Sequence, residues 1–120
     1  QIPGYPNLFT ITGPGSPSVL CNLPPAIEQH VEWITDCIKY MQSQKLTTVQ
    51  TSNEASKQWQ QEVERAANAT LLPQVKHSWY LGANVPGKPR VFMPYAGGLQ
   101  QYREICNDVA AEGYRGLIFS

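Results

Sequence analysis

Two histidines, three cysteines and one aromatic pair are the side chains of this 120-residue sequence best suited to chemistry. His30 lies between Gln29 and Val31, and an imidazole titrates close to neutrality, so it could transfer a proton. The plainer reading, a partly buried helix histidine bonded to backbone or solvent, is preferred. His77 precedes Trp79 in a loop, with no second histidine or carboxylate at ligand spacing, which argues against a metal. Cys21, Cys37 and Cys106 are odd in number and show no C-x-x-C spacing, so neither a disulfide framework nor a zinc knuckle is suggested. No basic residue stands beside them in sequence to lower a thiol pKa, and each reads as a small packing residue. No G-x-G-x-x-G, P-loop, H-E-x-x-H or G-x-S-x-G occurs. Gly13-Pro14-Gly15 is a poor phosphate cradle, because Pro14 has no N–H to donate.

Trp79 and Tyr80 are adjacent large aromatics beside Gly82, ahead of the Gly/Pro stretch 82–89, with Lys88 and Arg90 close by. They could form a flap over a planar ligand, the cations serving an anion. Equally, they could anchor the loop to the domain while the cations are solvated. The residues alone leave the two readings level. A helix start near Pro24 and Pro25 is a second candidate, since free N–H groups and the helix dipole favour negative charge there. Every helix has such an end, so that signal is generic.

The elements that must position these residues follow from periodicity. Residues 7–12 form a short β-rich run, and 13–18 are too rich in Gly and Pro for helix or central strand. Asn22 is a plausible N-cap. Ile27, Val31, Ile34, Ile38 and Met41 make one apolar stripe, which predicts a helix over about 26–43. Residues 46–50 suit an edge strand. Thr51 and Glu54 match a capping box opening a helix to about Asn68. Val91, Phe92 and Met93 could form a brief strand. Gly97-Gly98 precedes a third helix carrying Leu99, Tyr102, Ile105, Cys106 and Val109 on one face, with Gly113 as its C-cap, and 116–119 is a terminal strand. The alternation predicts an α/β fold.

Composition bounds the rest. Nine basic and nine acidic residues cancel, which leaves no electrostatic footprint for nucleic acid or an anionic membrane. No apolar run approaches the ~20 residues of a membrane span. Cysteine usage fits a reducing, cytoplasmic compartment. The opening Gln-Ile-Pro-Gly-Tyr-Pro, without Met, reads like the middle of a longer sequence.

Two long stretches then carry a resemblance. TGPGSPSVLCNLPPAIEQHVEWI (12–34) and HSWYLGANVPGKPRVFMPYAGGLQQYREICNDVAAEGYRGLIFS (77–120) resemble the C-terminal part of type I Baeyer–Villiger monooxygenases, in that family's order and spacing. The middle, about 45–76, matches only in general character. The resemblance implies enzymes that hold FAD and use NADPH and O2 to insert an oxygen beside a ketone, giving an ester or lactone. It implies the C-terminal portion of a Rossmann-like FAD/NAD(P)-binding fold, with about three helices and short strands. On that reading 1–120 is one segment of the FAD-binding domain, and the preceding part of the same protein is its principal partner.

Carried over by position, Pro17, Ser18, Val19 and Leu20 would line the substrate pocket. Asn22, Leu23 and Pro24 would approach the flavin, and Trp79 in the loop 77–90 would close over the nicotinamide cofactor. Gly82, Asn84, Pro86 and Gly87 would be the framework of that loop. The resemblance tips the Trp79 question toward a lid. Both glycine fingerprints, the family's His-containing signature and its catalytic arginine have no counterpart here, so no catalytic residue and no metal ligand is assigned. The chain alone is expected to hold neither cofactor well and to be inactive. Exposed strand edges predict self-association. The alternatives are an N- or S-oxygenating flavin monooxygenase, or a stand-alone binding module.

Overall fold

Helix α1 runs from Leu23 to Ser43 in the computed structural model, which describes residues 1–75 and 78–120. Lys76, His77 and the side chain of Val19 lie outside the described residues. Pro24 and Pro25 fall in the first turn of α1, where a missing N–H costs nothing. The apolar stripe is a continuous helix face, but it does not form the core. Ile27, Val31 and Ile38 are 40%, 46% and 43% exposed, and only Met41 is buried. The buried face instead carries Ala26, Gln29, His30, Cys37 and Met41. Aromatic geometry selects it: Trp33 meets Tyr114 edge-on at 5.2 Å, and its indole N–H donates to the Cys106 carbonyl at 2.8 Å.

The expected strand over 7–12 is absent. Asn7 and Thr12 both have positive φ, at 60° and 53°, which breaks the extended run at each end. Asn7 instead clips onto the first strand: its N–H donates to the Val49 carbonyl at 2.8 Å, and its Oδ1 accepts from the Val49 N–H at 2.9 Å. That strand, β1, is Val49–Thr51, and it pairs antiparallel with β2, Leu117–Phe119, in the register Val49 to Phe119.

Helix α2 spans Asn53–Asn68. Its cap is Ser52, one residue later than the capping box implied, and the Ser52 hydroxyl accepts from the Ala55 N–H at 3.1 Å. Thr51 cannot cap because it is held in β1 opposite Leu117. Residues 91–93 are not a strand either; Met93 uses its amide and carbonyl on two different loops, as described below. Helix α3 spans Leu99–Ala111, and Gly113 follows its cap residue Glu112 at φ 71°, a conformation that favours glycine.

Two small clusters form the core. Val63, Ala66 and Tyr95 gather Trp59, Ala96, Tyr102 and Ile105, while Ala67, Leu81 and Phe92 gather Tyr80 and Ala96. Tyr95 is fully buried, and its hydroxyl donates to Glu62 at 3.3 Å. Gly97 is required beside it, since a Cβ there would collide with the Tyr95 ring. The radius of gyration is 15.2 Å, above the roughly 14 Å of a compact chain of this length. The accessible surface of 7668 Å² likewise exceeds the roughly 6,500 Å² typical of the mass. Exposed apolar side chains contribute to that surface, Leu23, Ile27, Val31 and Ile38 of α1 among them. Three helices with a short sheet thus make an α/β fold.

Candidate functional site

The loop leading into α1 is the more firmly held of the two Gly/Pro loops. Ser16 is buried, with its hydroxyl donating to the Gly13 carbonyl at 2.7 Å, and Pro17 is buried behind it. Ser18 sits at φ 47°, a left-handed conformation uncommon for serine. A single helical turn, Ser18–Leu20, follows, and the Cys21 thiol donates back to the Ser18 carbonyl at 3.2 Å. Beyond it the surface opens: Leu20, Asn22, Leu23 and Pro24 are all exposed. Asn22 is the N-cap residue, yet its side chain makes no capping bond, so its amide is free for a partner outside the helix. Only Leu23 and Ala26 carry an N–H in the first turn, because Pro24 and Pro25 have none. The dipole remains, with fewer donors than usual.

The aromatic pair divides between the two readings that the residues left level. Leu81 is buried and Tyr80 packs edge-on against Phe92 at 6.3 Å, so both anchor the turn Trp79–Leu81. Trp79 lies over Tyr80 with ring centres 4.1 Å apart and remains 60% exposed. Residues 83–90 are all exposed. Gly82 turns the chain at φ 74°, with the Lys88 side chain folded over it. Arg90 donates to the Val75 carbonyl at 2.7 Å. It is a structural tie as well as a cation.

Backbone bonds connect the two loops. The Gly15 N–H donates to the Met93 carbonyl at 2.7 Å, the Tyr95 N–H to the Ser16 carbonyl at 2.7 Å, and the Met93 N–H to the Tyr80 carbonyl at 3.0 Å. Met93 is therefore a relay between the loop before α1 and the turn that carries Trp79. The Trp59 indole N–H also donates to the Gly15 carbonyl at 3.1 Å.

Among the described residues, neither Pro17, Ser18 and Leu20 nor Asn22, Leu23, Pro24 and Trp79 line either of two prominent cavities. The larger, about 380 Å³, lies along Gly13–Ser16 and Val91–Met93. The other, about 250 Å³, is walled by α1, α2 and α3, with Gln29, His30, Trp33, Trp59, Tyr102 and Cys106 among its residues. Sequence reasoning took His30 as a helix histidine bonded to backbone, and that is its position: Nδ1 accepts from the Thr12 N–H at 3.2 Å. It missed that His30 shares a cavity with Tyr102 and Cys106, because α1 and α3 meet only in the fold.

Burial lowers the His30 pKa and raises those of Tyr102 and Cys106, with hydrogen bonds from Gln29 and Tyr102 partly opposing the rise at Cys106. Cys37 is fully buried and its thiol is pushed up to about 11. At neutral pH these four groups are uncharged. Among the described residues no cluster of His, Cys, Asp or Glu could hold a metal ion, and no helix is long and apolar enough to cross a membrane.

No protein-family profile matches the chain. Curated proteins do. A Baeyer–Villiger monooxygenase of Pseudooceanicola batsensis is 41% identical over 114 residues, 95% of this chain and 20% of that protein. An oxidised steroid monooxygenase solved with NADP superposes with a TM-score of 0.88 at 43% identity, over 98% of this chain and 21% of the other. The OTEMO structure in complex with FAD and NADP superposes with a TM-score of 0.88 at 28% identity, over 100% and 21%. The chain spans about a fifth of the length of the curated relatives it matches. By sequence and by fold, the chain is homologous to the C-terminal region of the Baeyer–Villiger flavin monooxygenases.

Proposed function

We propose that the chain forms the C-terminal part of a Rossmann-like FAD-binding domain in an NADPH- and O2-dependent enzyme converting ketones to esters or lactones. The observation that carries this reading is the start of α1: an exposed Asn22 with no capping bond, followed by two prolines. Its free amide can pair with the donor and acceptor edge of a flavin pyrimidine, and the helix dipole favours negative charge there. The residues fit one side of a flavin site. The bound flavin supplies the electron transfer and oxygen activation.

Asn22, Leu23 and Pro24 then present the flavin-facing edge, and Pro17, Ser18, Val19 and Leu20 the ketone-facing one. Trp79, held out from the surface on its Tyr80 anchor, covers the nicotinamide cofactor and helps exclude water from the reaction. The Met93 relay keeps the two loops in step. Three unpaired cysteines fit a reducing compartment such as the cytoplasm.

Reconstitution tests the proposal. The chain is mixed with the preceding four-fifths of a Baeyer–Villiger relative, and ketone-dependent NADPH oxidation is followed. Activity above that of either part supports the reading, and none, with both parts folded, overturns it. The chain by itself is expected to purify without flavin absorbance.

A further inference from the structure

The stretch 13–16, which leads to the ketone-facing edge, borders the cavity of about 380 Å³. Open space on that side means hydrogen bonds, more than packing, set where it lies. Its ties to Met93 and Tyr95 run from one coil segment to another. Among the described residues, two helix side chains reach the backbone of 12–16. His30 of α1 accepts from the Thr12 N–H, and Trp59 of α2 donates to the Gly15 carbonyl. Tyr95 itself packs on Val63 and Ala66 of α2. Helix α2 is thus the frame against which the loop is set, and Trp59 is its direct bond to the loop backbone.

The indole is itself fixed. Its ring lies 5.2 Å from Tyr95 and 5.8 Å, edge-on, from Tyr102, and a side chain locked by its neighbours can hold a partner in place. The loop rests against it, since a Cβ on Gly15 would lie 2.6 Å from Nε1. From Gly15 the chain reaches Ser18 through two stiff residues. Ser16 is closed onto the Gly13 carbonyl by its amide at 3.1 Å and its hydroxyl at 2.7 Å. Pro17 is buried, with a ring that fixes its φ. Neither can absorb a displacement, so a shift at Gly15 is passed to 18–20.

We propose that Trp59 is a positioning residue of the ketone site: from α2 its indole N–H fixes Gly15, and through Ser16 and Pro17 it sets how far the wall 18–20 stands toward the substrate, and hence which ketones fit. This rests on the reading of 17–20 as the ketone-facing edge.

Trp59→Phe removes the donor and keeps an aromatic ring. In the reconstituted enzyme, kcat/KM is measured for cyclohexanone and for the bulkier phenylacetone. Loss of folded chain lowers both values alike and cancels from their ratio, whereas a displaced wall does not. The ratio is expected to change about fivefold in Trp59→Phe, the equivalent of one hydrogen bond. It should stay unchanged in Val49→Ala, which empties part of a buried site in β1. A change of less than about twofold in Trp59→Phe, or an equal change in Val49→Ala, overturns the proposal. Amide exchange in the ¹⁵N-labelled chain tests the hold on the loop without flavin: the Gly15 and Ser16 amides should exchange about fivefold faster in Trp59→Phe and at the original rate in Val49→Ala. Unchanged exchange in Trp59→Phe overturns the proposal whether or not reconstitution succeeds. Failure of the unaltered chain to reconstitute removes the ketone-facing reading instead. Should Trp59→Phe not fold, the benzothiophene analogue of tryptophan at position 59, which loses only the N–H, serves in both measurements.

Discussion

Gly15 donates its backbone N–H to the carbonyl of Met93 at 2.7 Å, and that bond joins the loop before α1 to the segment after the second Gly/Pro loop. Because Met93 also donates to Tyr80, a displacement at Gly15 is transmitted to the base of Trp79 through two short bonds. The partners are backbone atoms, so side-chain substitution at Met93 leaves the relay intact, whereas a change at Gly15 does not.

Gly15→Ala should be among the more damaging small substitutions in the chain. Gly15 sits at φ +81°, and an added Cβ would lie 2.6 Å from Trp59 Nε1. Strain and displacement of the indole together should cost about 2 kcal/mol, read as a lower midpoint in urea unfolding. Trp59→Phe, which removes the indole donor to Gly15, should cost about 1 kcal/mol. The double variant should fall short of the sum, because the two residues share one contact.

Stability should decline as the solution is acidified through the histidine range. Burial lowers the His30 pKa below its usual 6.5, so the unfolded chain binds the proton more readily. The contribution is complete above pH 6.5 and is lost as pH falls toward the folded-state value. The slope should not exceed about 1.4 kcal/mol per pH unit, one proton's worth. Melting temperatures between pH 7.5 and 5 check this, and His30→Gln should flatten the curve over that window.

Trp79→Ala should separate function from folding. The ring is 60% exposed, so the unfolding free energy should change by less than about 0.5 kcal/mol. In the reconstituted enzyme the same variant should lower kcat for ketone oxygenation several-fold. An unchanged rate would remove Trp79 from the proposed lid.

The isolated chain should self-associate through the outer face of α1. Ile27, Val31 and Ile38 are exposed along one side of the helix, with Leu20 and Leu23 exposed at its start, forming a ridge of the kind that soluble monomers avoid. Sedimentation velocity should show a mass that rises with concentration. Ile27→Glu with Val31→Glu should shift it to monomer while leaving the circular dichroism spectrum intact.

The sequence by itself determined the helices, both loops and the α/β class. Repeats of apolar residues, Gly and Pro punctuation and caps are local properties, written within a few residues of where they act. The same local signals misplaced the strand at 7–12, because Asn7 and Thr12 take positive φ and Asn7 spends its amide on Val49. They also moved the cap of α2 from Ser52 to Thr51, which only the pairing of β1 with β2 excludes. The tertiary structure alone decided which face of α1 is buried. Hydrophobicity favoured Ile27, Val31 and Ile38, but contacts of Trp33 and His30 with α3 and Tyr114 turned that stripe to solvent. It alone brought Gln29, His30, Tyr102 and Cys106 to one cavity, and joined Gly15 to Tyr80 through Met93. Such relationships join residues far apart in the chain, and no short-range pattern encodes them.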